Sequence, residues 1–143
     1  MKVGTIVTIV VILLAAIVAS FVVFRKKPRK LDINQYVAKW KKLQAFCRDK
    51  ATWPMALTDA DKLLDSALRR RRFKGKSMGE RLVSAQRTLT NNDGIWFAHN
   101  LCKKVLIDND VRLKEVDVKA ALVAYRQALK DLGALPNGQS KEV

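Results

Sequence analysis

From Val3 to Phe24 the chain runs without a charged residue, about the ~20 apolar residues that a helix needs to cross a hydrocarbon core. Beyond it the pattern changes. Apolar positions recur every three or four residues and no stretch alternates at period two, which predicts amphipathic helices rather than strands. The chain is therefore expected to be all-α, with one N-terminal transmembrane helix followed by a compact bundle of about five helices. The divisions fall at 1–24 for a signal-anchor helix, 25–31 for a basic juxtamembrane linker, 32–135 for a cytoplasmic helical bundle and 136–143 for a flexible polar tail.

In the bundle, Ile33, Tyr36, Val37, Trp40, Leu43 and Cys47 share one face of a first helix, and a break follows from Arg48 to Thr52. Thr52 suits an N-cap and Pro54 suits a first turn, where a missing N–H costs nothing. Trp53, Ala56, Leu57, Ala60, Leu64, Ala67 and Leu68 form a second stripe, which runs out in a basic loop from Arg69 to Lys76. Ser77 to Glu80 reads as a capping box opening a third helix, with Met78, Leu82, Ala85 and Leu89 facing inward. Thr90 to Gly94 reads as a turn. A fourth helix carries Ile95, Trp96, Ala98, His99, Cys102, Val105 and Leu106, and Asp108 to Asp110 interrupts it. The last helix runs from about Lys114 to Leu132 on Val118, Ala121, Leu122, Tyr125, Leu129 and Leu132, and Gly133 stands where a C-cap wants a left-handed residue. Trp40, Trp53 and Trp96 are expected to be mostly buried, and His99 to be structural.

A cleaved signal peptide competes for residues 1–24, since Ala19 and Ser20 mimic a cleavage site. Its apolar core is normally about 7–15 residues, shorter than the run here. Arg25, Lys26, Lys27, Arg29 and Lys30 follow the apolar run directly, against Lys2 alone before it. Cations near a membrane helix stay in the cytoplasm. The expected location is the inner cell membrane, single-pass, with the N-terminus outside and the C-terminal domain cytoplasmic. Ala15, Ala16, Ala19 and Ser20 supply small-residue pairs through which two anchors can pack as a homo-oligomer.

Lysine and arginine number 28 against 13 acidic residues, a net charge of +15. Such an excess favours anionic lipid, RNA or acidic proteins as partners without choosing among them. Arg69, Arg70, Arg71, Arg72, Lys74 and Lys76 put six cations within eight residues around Phe73. That set can neutralise phosphates or stack on a base; a lipid-binding loop or a plainly solvated one explains it equally well. Asp61 and Asp65 share a helix face, where a carboxylate pair can take a cation or an arginine, or simply face water beside Lys62 and Arg69. No glycine-rich phosphate loop, nucleophile–His–Asp set or zinc-ligand spacing stands out, so no catalytic residue, metal or cofactor is expected. Cys47 and Cys102 are expected to be buried free thiols.

From Trp53 onward the chain resembles a bacterial group of the HEPN superfamily (higher eukaryotes and prokaryotes nucleotide-binding). The resemblance rests on Trp53 with Ala60-Asp61-Lys62-Leu63-Leu64-Asp65, on Ser77 to Leu82, on Ile95 to His99, and on Tyr125 to Leu135. It implies a helical bundle and, in active members, an Arg-Asn pair with a following His that cleaves RNA. Here Cys102 matches the arginine and Ile107 the histidine, and neither can transfer a proton or grip a phosphate in that way. His99 matches a structural histidine before the motif. The expectation is a non-enzymatic, membrane-anchored binding or scaffolding module contacting the membrane and another protein. The alternatives are an RNA-binding or RNA-directed HEPN-type domain, and a basic accessory protein reading anionic lipid.

Overall fold

The computed structural model describes residues 2–23 and 28–138. Phe24, Arg25, Lys26, Lys27 and the tail residues 139–143 lie outside the described residues. Among those described there are six α-helices and no strand: α1 (Val3–Val23), α2 (Ile33–Gln44), α3 (Trp53–Arg70), α4 (Met78–Ala85), α5 (Asn92–Ile107) and α6 (Glu115–Asp131). Two 3₁₀ turns, Ala45–Cys47 and Lys50–Thr52, fill the break between α2 and α3. One long apolar helix ahead of a five-helix bundle is the architecture that the spacing predicted.

The 21 residues of α1 span about 31 Å at 1.5 Å per residue, the thickness of a hydrocarbon core. With a mean hydropathy of 2.9 over Val3–Val22 it is long and apolar enough to cross a membrane.

The bundle is organised around α3, which packs on α2, α4, α5 and α6. Its stripe of Ala56, Leu57, Ala60, Leu63, Leu64, Ala67 and Leu68 is buried throughout. The three alanines let neighbouring helices approach closely, while each fully buried leucine contributes about 1.5–3 kcal/mol. On the far side α5 and α6 pair as a hairpin, closing the core with Ile95, Ala98, Ala121, Tyr125 and Leu129. Leu132, Ala134 and Leu135 seal the bottom after α6 ends.

Side chains set the helix starts. Asp32 accepts from the N–H groups of Asn34 and Gln35, Ser77 from Glu80 N–H at 3.2 Å, and Asn91 from Gly94 N–H at 2.9 Å. Each contact satisfies a donor that the first helical turn leaves open. α6 ends in a Schellman turn: Gly133 at φ +77° donates to Lys130 O, and Ala134 donates to Leu129 O.

Several expectations need correction. Thr90 to Gly94 is not a free turn, because Asn91 caps α5 and the helix begins at Asn92. Thr52 stands at the N-cap of α3 but makes no capping bond, its hydroxyl donating instead to Phe46 O and Asp49 O. Trp40 is buried, whereas Trp53 and Trp96 are half-buried; Trp53 keeps its indole N–H near the surface, donating to Cys47 O at 3.0 Å. Cys47 is half-buried in a 3₁₀ turn and only Cys102 is fully enclosed. Ile33 and Leu106, assigned to inner stripes, are exposed, each at a helix end where the packed neighbours run out.

Candidate functional site

The basic run begins inside a helix and ends in a constrained turn. Arg69 and Arg70 belong to the last turn of α3. The chain then closes a second Schellman turn: Arg72 N–H donates to Arg69 O and Phe73 N–H to Leu68 O. The residue at the left-handed position is Arg72, at φ +63°, where α6 uses Gly133. A left-handed conformation costs an L-residue about 1–2 kcal/mol. Phe73, the next residue, packs against the core and anchors the turn.

From there α4 fixes the loop's backbone one residue at a time. Lys74 C=O accepts from the Ser84 hydroxyl at 2.6 Å, Gly75 C=O from Arg81 Nη1 at 2.8 Å, and Lys76 N–H donates to Glu80 Oε2 at 2.7 Å. With the backbone held inward, Lys74 and Lys76 are exposed. Gly75 sits at φ +156°, and a Cβ there would lie 2.7 Å from Arg81 N. The capping box is thus shifted by one residue: Glu80 satisfies Lys76 N–H rather than that of the cap itself.

The cations are not equivalent. Arg69 is exposed but pairs with Asp65 at 2.9 Å. Arg70 is exposed, and Arg71 and Arg72 are half-buried, each with its Nε enclosed and lacking a hydrogen-bond partner. Arg69, Arg72, Phe73, Lys74 and Lys76 line a shallow open concavity, with Glu80 and Ser84 at its α4 edge. Arg81, which the sequence did not single out, is buried beneath it and joins Asp65 at 2.6 Å. It serves the loop as a tie, out of a ligand's reach.

The Tyr36 and Ser66 hydroxyls share a hydrogen bond at 3.1 Å, and Lys39 and Leu43 of α2 meet Asp59, Lys62 and Leu63 of α3. The two helices therefore run antiparallel, and the start of α2 lies beside the end of α3. Arg29 and Lys30, exposed in the segment leading into α2, enter the bundle at the end where Arg69 to Arg72 stand. Arg25, Lys26 and Lys27 fall outside the described residues.

Asp61 and Asp65 are not a solvated carboxylate pair. Both are largely enclosed, and the two are taken by different helices, Asp65 by α4 and Asp61 by α5 and α6. Asp65 goes to Arg81, while one oxygen of Asp61 accepts from Tyr125 OH and His99 Nδ1, both at 2.9 Å. Because a carboxylate accepts, the imidazole carries its proton on Nδ1. His99 also meets the edge of Trp96, ring centroids 6.2 Å apart. Burial, and then the nearby Asp61 charge, raise the Tyr125 hydroxyl above its usual range and push the Cys102 thiol up to about 11. Cys102 is thus a protonated, weakly nucleophilic thiol at neutral pH. Ile107 lies 82% exposed at the end of α5. Among the described residues, no three His, Cys, Asp or Glu side chains converge as metal ligands would.

No family model matches the chain, and neither a curated protein nor a solved structure matches it.

Proposed function

We propose that the protein is a non-enzymatic, membrane-anchored helical binding module at the cytoplasmic face, whose basic end rests on anionic lipid. The observation that carries this is the antiparallel register of α2 and α3, which gathers Arg29, Lys30 and the Arg69–Lys76 loop at one end of the bundle. That end is the one tethered to the apolar helix. Each cation near an anionic bilayer surface contributes about 1 kcal/mol, so the two clusters together can orient the domain. An arginine at a left-handed position that glycine would fill without strain fits a side chain that serves contact rather than folding.

In the same proposal the bundle is a HEPN-like domain without RNA cleavage. An enclosed, protonated thiol at Cys102 and an aliphatic side chain at Ile107 cannot grip a scissile phosphate or move its proton, and His99 is committed to Asp61 through Nδ1.

The test uses the full chain in nanodiscs of phosphatidylglycerol or phosphatidylcholine, read by amide hydrogen exchange. Residues 69–76 should be protected in the anionic discs alone, less so at high salt, and not when Arg69 to Arg72 are replaced by glutamine. Equal exchange in both lipids would sink the membrane-facing assignment. Poly(U) binding that persists at high salt, or RNA cleavage abolished by His99→Ala, would favour the RNA-directed alternative.

A further inference from the structure

A second cationic feature lies about two turns along α3 from the arginine run, at Lys62. Between α2 and α3 is a groove of about 250 Å³ with Leu43 and Leu63 in its floor and Lys39, Lys42 and Lys62 on its rims. All three lysines are exposed, and among the described residues none of them is in an ion pair. Asp59, the one carboxylate on the lining, leaves the groove with a net positive charge.

Size and lining decide what can sit there. From Asp59 to Ser66 the groove follows two turns of α3, about 10 Å at 1.5 Å per residue. A lipid chain that fills one leaflet is about 15 Å long, half of a 30 Å core, and leaving the bilayer would cost it about 0.8 kcal/mol for each exposed CH₂. An acyl chain is therefore a poor occupant. A nucleobase is no better served, since base recognition by stacking needs aromatic faces and the lining has none. An apolar floor with amines on both rims instead complements a peptide presenting one or two large apolar side chains between carboxylates. An amphipathic helix laid in a groove presents that arrangement through positions three and four apart.

We infer that the α2–α3 groove docks an acidic amphipathic helix of a partner protein, its apolar side chains over Leu43 and Leu63 and its carboxylates on Lys39, Lys42 and Lys62. This rests on the binding-module proposal and supplies the chemistry of the protein partner. It does not depend on the basic loop.

The experiment titrates the full chain, in phosphatidylcholine nanodiscs, with a fluorescent helical peptide carrying leucine at four-residue spacing flanked by glutamate. Replacing the glutamates by glutamine, or the leucines by serine, should weaken binding about tenfold, as should the triple variant Lys39→Glu, Lys42→Glu, Lys62→Glu. The same peptide with lysine in place of glutamate should regain affinity for the triple variant, which a folding defect could not produce. Unchanged affinity of the triple variant for the glutamate peptide would overturn the assignment, as would triple-variant losses confined to poly(U) or phosphatidylglycerol. Exchange protection of residues 69–76 in phosphatidylglycerol discs, followed on the same variants, reports on the membrane contact alone, so the two proposals can fail separately.

Discussion

Arg81 on α4 reaches Asp65 on α3 with 2.6 Å between Nε and Oδ1, and only 7% of its side chain is exposed. The same guanidinium donates to Gly75 O, so one enclosed cation fixes both the α3–α4 packing and the backbone of the basic loop. Breaking a buried pair by removing one partner typically costs about 3–5 kcal/mol. Arg81→Ala should fall at the low end, because Asp65 retains Arg69. Urea unfolding followed by tryptophan fluorescence measures the loss. The double variant with Asp65→Ala should lose less than the sum of the two single losses, and additive losses would show that the pair is uncoupled.

Arg72 offers the opposite result. Glycine removes a left-handed strain of about 1–2 kcal/mol and gives back about 0.4–1 through the freer unfolded chain. Arg72→Gly should therefore raise the melting temperature slightly while weakening the contact with phosphatidylglycerol. A variant no more stable than wild type would remove strain from the account.

At Gly75 the expectation is loss of stability without any change in charge. A Cβ there would meet Arg81 N at 2.7 Å and the Glu80 backbone carbon at 2.9 Å, none of it able to rotate away. Gly75→Ala should cost about 1–3 kcal/mol. It should also lower lipid-dependent protection of residues 69–76, since the cations remain but their spacing does not. Protection equal to wild type would mean that charge alone matters.

Alkaline stability follows from the enclosed thiol and phenol. Folding raises the Cys102 pKa from 9.0 to about 11 and raises that of Tyr125 above 10.0. In that window the native state holds protons that the unfolded chain releases. Stability is thus complete below about pH 9 and falls as pH rises toward 11, by about 1.4 kcal/mol per unit for each such group. Cys102→Ser should flatten the decline measured by urea midpoints between pH 8 and 11. At pH 8, maleimide should label half-buried Cys47 well before Cys102.

Topology is testable with reporters. If the C-terminal domain is cytoplasmic, alkaline phosphatase fused after Val143 should be inactive and a cytoplasmic fluorescent reporter bright. The reverse pattern would put the basic end on the wrong side for this account.

Helix faces were legible in the sequence because burial repeats with the helical period, as Leu57, Leu64 and Leu68 show. The Ser77 cap and the Gly133 terminus were legible for a similarly local reason: donor and acceptor lie within a few residues. What stayed hidden was long-range. Arg81 looked like any helix-surface arginine because Asp65, which makes its burial tolerable, is 16 residues away on another helix. Asp61, His99 and Tyr125 are separated by 38 and 64 residues, and no spacing rule joins them. Thr90 to Gly94 misled through composition, since the Asn and Gly that mark turns also mark helix starts. No spacing rule sets Lys39 and Lys42 beside Lys62 either; the antiparallel register of α2 and α3 brings them around one apolar floor.

A single oxygen of Asp61 serves donors from both α5 and α6, and that sharing bears on descent as well as on packing. A lineage that replaced Asp61 with an aliphatic residue would strand a phenol and an imidazole in the interior, each seeking an acceptor that no longer exists. Positions 61, 99 and 125 should accordingly be inherited as a trio. Where one is exchanged in a related chain, the other two should be exchanged with it, for instance to leucine, phenylalanine and methionine together.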